Sequence, residues 1–236
     1  SLTRRFGPSS VAAGYGATRA DPVPIEPAPQ PAPVMEIPTI RESLRHYRPA
    51  EIVDQPVARA AVAVVLQEGT GGVEFLAIRR AERHGDPWSG HMALPGGRMQ
   101  AEDPSLLATA ARETHEEVGI DLDAGGVHLG QLDDLRAMSR GRPVDLIISP
   151  FVFALDGPRH LRTEPREVQA AFWIPIRTLF EQDPRRPGGG APRTTNGYPA
   201  FVHAGQSIWG LTYRILSGLV DVLDAATFSS IRQVPA

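Results

Sequence analysis

The chain has no cysteine among its 236 residues. Disulfides, thiolate-held metals and a cysteine nucleophile are therefore excluded. The absence fits a reducing compartment, and a cytoplasmic location is the expectation. A surplus of one charge is also missing. Lys and Arg number 24 against 27 Asp and Glu, a net charge of −3. Bulk electrostatics thus give no reason to expect nucleic acid or an anionic membrane as a partner. No apolar run approaches the length of a membrane span. The longest candidate, Ile208 to Leu223, is interrupted by Arg214, Ser217 and Asp221. Internal repeats are absent as well.

What is present falls into two parts. Residues 1–36 are set apart from the fold, and the first forty residues include "DPVPIEPAPQPAPVMEIP", dense in proline and poor in large apolar residues, which reads as an extended, unpacked segment. Ahead of it lie Arg4, Arg5 and Arg19 without an acid, a loose likeness to a transit peptide. A plain disordered tail is the expectation, and residues 37–230 are read as one domain. In that domain "ARAAVAVVLQEG" and "VEFLAIRRAE" flank the turn signal "GTGG", which predicts a hairpin. Strand-like "HMALPGG" runs into glycine. "VHLGQLDDLRA", "VDLIISPFVFAL", the middle of "PREVQAAFWIPIRTLF" and "YPAFVHAG" continue the strand pattern. "SIWGLTYRILSGLVDVLDAA" has apolar residues at helical spacing from Ile208 onward and is read as the closing helix. Hairpin order with a few helices argues an α+β fold, a mixed sheet sandwiched by helices.

One helix is electrostatically awkward. Asp103 and Pro104 look like its N-cap and first turn, and Gly119 like its stop. Glu113, Glu116 and Glu117 crowd its last two turns, where they repel one another and meet the negative end of the helix dipole. Carboxylates gathered in this way call for a cation, and hard oxygen ligands suit Mg²⁺ or Mn²⁺. Arg112, four residues before Glu116, can hold an acid in place. The glycine pair Gly96-Gly97 lets backbone approach closely, so that a carbonyl can join the metal. A solvated, charged helix face is the plain alternative.

This stretch resembles the Nudix box, G-x5-E-x7-R-E-U-x-E-E-x-G-U, in which U is aliphatic. Gly97, Arg112-Glu113, Glu116-Glu117, Gly119 and Ile120 match it. Asp103 stands at the first Glu, with eight residues rather than seven before the Arg. The resemblance implies a Nudix fold and metal-dependent hydrolysis of a nucleoside diphosphate derivative. It places Mg²⁺ or Mn²⁺ on Glu113, Glu116 and Glu117 with the Gly97 carbonyl, and gives Arg112 the orientation of these acids. Glu113 and Glu167, the latter in the "PREV" loop, are both candidates for the general base.

Asp103, the longer spacing, "FLAIRRA" (75–81), "LPGG" (94–97) and "SIWGLTYRIL" resemble coenzyme A pyrophosphatases in particular. Asp86 and Leu94 depart from that pattern. The coenzyme carries a 3′-phosphate, for which Arg79, Arg80 and Arg83 are the candidate ligands. Coenzyme A or an acyl-CoA is thus the expected substrate, cleaved to 3′,5′-ADP and 4′-phosphopantetheine. ADP-ribose, a dinucleotide, a nucleotide sugar or an oxidised nucleotide remains the alternative, and a Nudix-fold binding module without turnover a remoter one. A homodimer is compatible with the resemblance. Trp88 is read as packing under the loop rather than stacking on an adenine, and His91 and His115 receive no role from the sequence.

Overall fold

A computed structural model describes residues 35–53, 57–86, 88–139, 141–157, 160–186, 190, 192–194 and 196–231, without the side chains beyond 225. Residues 1–34, and with them nearly all of the expected tail, lie outside the described residues.

The predicted hairpin is the spine of the domain. Strand β1 (Ala58–Gly69) turns at Gly69 and Gly72 into β2 (Gly72–Arg80). β1 is apolar on both faces because it lies in the middle of the sheet, paired with β2 on one side and β7 (Arg142–Leu155) on the other. The β1–β7 ladder is parallel, from Ala58 against Leu146 to Leu66 against Ala154. Short strands β3 (Met92–Ala93) and β4 (Gly96–Arg98) pair with β2 and β1. β5 (Gly126–Gln131) and β6 (Leu135–Ser139) pair with β7, and β8 (Val168–Pro175) with β2. All pairs but β1–β7 are antiparallel, which makes the sheet mixed.

Helices cover both faces of the sheet. Val64, Leu66, Phe75 and Ala77 point to one side, where α1 (Ile37–His46) and α5 (Gly210–Ile231) bury Ile40, Leu44, Leu216 and Leu219 against them. Ala61, Val65, Leu76 and Ile78 point to the other, beneath α2 (Leu106–Val118) and the short α3 (Leu122–Gly125). The expected α+β sandwich is the fold found.

Three boundaries differ from the sequence reading. Met35 is only 5% exposed in the main core, so packed chain begins before residue 37. "VHLGQLDDLRA" is two strands, broken where Asp134 turns inward: its buried carboxylate accepts from Arg59 (2.9 Å), Ser149 (2.6 Å) and the Ile52 N–H (3.1 Å). Finally, Ile208 belongs to β10 (Gln206–Trp209), which hairpins with β9 (Ala200–His203). Gly210, at φ 64°, lets the chain turn from this strand into α5.

Candidate active site

Helix α2 is held from both ends. Ser105, not Asp103, is its N-cap, accepting from the Ala108 N–H at 3.1 Å. Gly119, at φ 73°, closes it with an N–H donated to His115. Ala110, Ala111, Thr114 and Val118 are buried toward the sheet. This leaves Arg112, Glu113 and Glu116 on the face beside the loop 96–103.

Asp103 has another task. Arg112 donates Nε and Nη2 to its two carboxylate oxygens at 2.8 and 2.9 Å. The Gln100 N–H and Thr109 hydroxyl add bonds of 2.9 Å each. Arg112 first, then these neighbours, hold the Asp103 carboxyl well below the usual carboxylate range. The same guanidinium reaches forward, with Nη1 at 2.9 Å from Glu113 and 3.0 Å from Glu116. One cation therefore spans three carboxylates, which is how the awkward helix end is tolerated. Paired with Asp103, Arg112 is itself raised above its ordinary pKa.

Glu117 lies deeper, 3% exposed, and accepts from the Gly96 N–H at 3.0 Å. Burial pushes its pKa up to about 8. Burial also raises Glu113, against the pull of Arg112. Gly97 lies directly against Glu113: a Cβ there would stand 2.4 Å from the carboxyl carbon. Glu167, on the turn before β8, is near enough for its charge to raise both Glu113 and Glu117. The structure thus brings Gly97, Arg112, Glu113, Glu116, Glu117 and Glu167 together.

Among the described residues, no three acidic or histidine side chains already form a metal cage. Arg112 stands between Glu113 and Glu116. The donors nonetheless fit a hard divalent cation. A buried carboxylate with a raised pKa, as at Glu117, is the group that a cation relieves, and the side-chain-free Gly97 lets the Glu113 carboxylate lie directly against the main chain.

The three arginines are not one cluster. Along β2, Arg79 follows the alternation of Phe75 and Ala77 and faces the α5 side, whereas Arg80 follows Leu76 and Ile78 toward α2. Arg80 pairs with Asp86 at 3.0 Å, and its charge pulls against the upward shift of Glu117. Arg83 donates to the Arg166 carbonyl and to Glu167. Asp86, a mere departure from pattern in the sequence, is a partner of Arg80; the six-residue spacing gave no helical or strand signal for it. His115 is exposed, and the main-chain N–H of Trp88 donates to the Asp86 carboxylate.

The NUDIX domain model matches residues 57–192, more than half of the chain. The chain belongs to the Nudix family. Its relatives include an uncharacterized protein of Schizosaccharomyces pombe, 39% identical over 155 residues, which cover 58% of this chain and 47% of that one. The chain thus spans about half the length of that relative. The human mitochondrial coenzyme A diphosphatase is 30% identical over 175 residues, 72% of either protein. A peroxisomal coenzyme A diphosphatase of Caenorhabditis elegans is 34% identical over 108 residues, 45% of this chain and 43% of its own. Among solved structures, a MutT/nudix family protein from Enterococcus faecalis is similar at 16% identity and a TM-score of 0.48, over 76% of this chain and 66% of that one. Among the described residues, no helix is long and apolar enough to cross a membrane.

Proposed function

We propose that the chain hydrolyses the diphosphate of coenzyme A or an acyl-CoA, with Mg²⁺ or Mn²⁺, to 3′,5′-ADP and (acyl-)4′-phosphopantetheine. The observation that carries the substrate is the kinship with the human coenzyme A diphosphatase across 72% of both chains. In this reading Glu113, Glu116 and Glu117, with the Gly97 carbonyl, hold the metal. When bound, the metal neutralises diphosphate charge and acidifies water.

The chain's own residues do the rest. Arg112, anchored on Asp103, fixes where Glu113 and Glu116 point. Glu167 is the general base. It is half-exposed, so water reaches it, and it is near enough for its charge to be felt at Glu113 and Glu117, whereas Glu113 is engaged by Arg112 and the Gly97 cradle. Glu167 takes the proton of the attacking water as the water oxygen bonds to one phosphorus; the bond from that phosphorus to the bridging oxygen breaks, and the bridging oxygen leaves on the other phosphate. Arg80, on the α2 side, is the substrate-facing cation of β2. Its pairing with Asp86 also favours a second reading: a nucleoside diphosphate derivative without a 3′-phosphate, such as ADP-ribose, needs less positive charge. We place the protein in the cytoplasm; fractionation decides between this and the organelles in the relatives' names.

Chromatography of products from coenzyme A, acetyl-CoA, dephospho-CoA, ADP-ribose, dinucleotides and a nucleotide sugar is the test. The expected outcome is cleavage of coenzyme A to 3′,5′-ADP with Mg²⁺ or Mn²⁺ and none with EDTA. Intact coenzyme A and thioesters beside rapid hydrolysis of ADP-ribose would overturn the substrate while leaving the family.

A further inference from the structure

The loop that carries Glu167 follows β7 in the chain and passes the C-terminal end of α2 before it enters β8. Its near end hangs on the helix: the Arg162 N–H donates to Val118 at 2.9 Å, and that of Glu164 to Glu117 at 3.0 Å. At its far end the Ala81 N–H donates to the Glu167 carbonyl at 2.8 Å. Between these ties, the main-chain carbonyl of Arg166 accepts two bonds from one guanidinium, Arg83 Nε at 3.1 Å and Nη2 at 2.7 Å. The same Nη2 stands 3.4 Å from the Glu167 carboxylate. Arg83 is fixed in turn, its own N–H donating to the Ser89 hydroxyl at 2.8 Å.

We propose that Arg83 is a positioning residue that sets the place of the Glu167 carboxylate, and not a ligand of substrate phosphate; this rests on the reading of Glu167 as the general base. A free phosphate ligand keeps its fork open toward solvent, but three of the N–H···O contacts of this fork point into the loop. The contacts grip main chain on one side of Glu167 and its side chain on the other. They therefore act on both determinants of where the carboxylate lies. Lysine would keep the charge but has no planar fork to spread over a carbonyl and a carboxylate.

A double-mutant cycle tests this. R83A, R83K, E167Q and R83A/E167Q would be compared by kcat and KM on coenzyme A and dephospho-CoA, or on whichever diphosphate the chain cleaves best. The thermal midpoint of each variant serves as the fold check. Misplacing a reacting group by about an ångström costs on the order of a hundredfold. R83A is expected to lower kcat by about ten- to a hundredfold with KM nearly unchanged, equally for both substrates, and R83K to recover only part of it. In the E167Q background, R83A should change kcat by less than about twofold, because the group that it positions is already disabled. A raised KM at constant kcat, an effect confined to the 3′-phosphorylated substrate, or losses that multiply in the double variant would each overturn the role of Arg83 alone. Should E167Q keep most of its turnover, the general-base reading fails, and the positioning role with it.

Discussion

The Glu117 carboxyl sits where its surroundings favour the proton. Folding raises its pKa from 4.5 to about 8. Across that window the folded chain holds more protons than the unfolded one, so metal-free stability falls as pH rises and levels off above the folded pKa. One proton is worth at most about 1.4 kcal/mol per pH unit. Denaturation midpoints in EDTA from pH 5 to 8.5 should show this slope in the wild type and lack it in E117Q. Parallel curves would refute it. Turnover of E117Q should fall by about two to four decades. The two neighbouring glycines separate chemistry from folding. A Cβ on Gly97 meets the movable end of Glu113, so G97A should stay folded and lose most of its turnover. A Cβ on Gly96, where φ is 155°, would stand 2.3 Å from the Ala61 carbonyl and 2.6 Å from the Val62 Cα. G96A should therefore be the less stable variant, by several degrees in thermal midpoint. Equal midpoints would contradict the contrast.

Among the elements, α2 shows how far spacing alone reaches. The acids, Arg112 and the Gly119 stop were legible because i, i+3 and i+4 spacings dictate a common face. Its beginning was not. Asp103-Pro104 and Ser105 both carry cap chemistry, and the choice falls to Arg112, which draws Asp103 out of the capping role. D103A should consequently cost about 2–4 kcal/mol, toward the lower range for an ion pair whose Arg is partly solvated. It should also lower kcat about ten- to a hundredfold, as loss of an outer partner of metal ligands does. Urea titration and initial rates check both; wild-type values in either would sink the clamp role. Along β2, "FLAIRRA" displays two neighbouring cations to a reader of sequence, but strand alternation sends Arg79 and Arg80 to opposite faces. Periodicity likewise missed the break at Asp134, since nothing local announces that Arg59 and Ser149 will bury this carboxylate.

For the whole molecule, the α+β sandwich was legible from the order of its elements, and the limits of the packed chain were less so. Met35 is short on sequence grounds of any reason to be buried, standing at the end of a proline-rich run, yet it joins the main core. Ile37 beside it donates its N–H to Glu68. A chain that begins at Met35 is expected to keep its stability and turnover. One that begins at Arg48 loses Ile40 and Leu44 from the core and should aggregate or melt far lower, since each such apolar side chain is worth about 2–5 kcal/mol. Thermal midpoints and rates of the two shortened chains decide; an Arg48 start that matches the longer chain would refute it. The parallel ladder of β1 on β7 has a consequence for how the site comes into being. Its first pair, Ala58 with Leu146, encloses the entire segment from β2 to β6, Gly97 and α2 included. As the chain emerges from the ribosome, Glu113, Glu116 and Glu117 are therefore made long before the central strand finds its parallel neighbour. Any turnover is accordingly a late acquisition of this molecule, gained with its long-range strand pairings and not with the helix that bears the box acids.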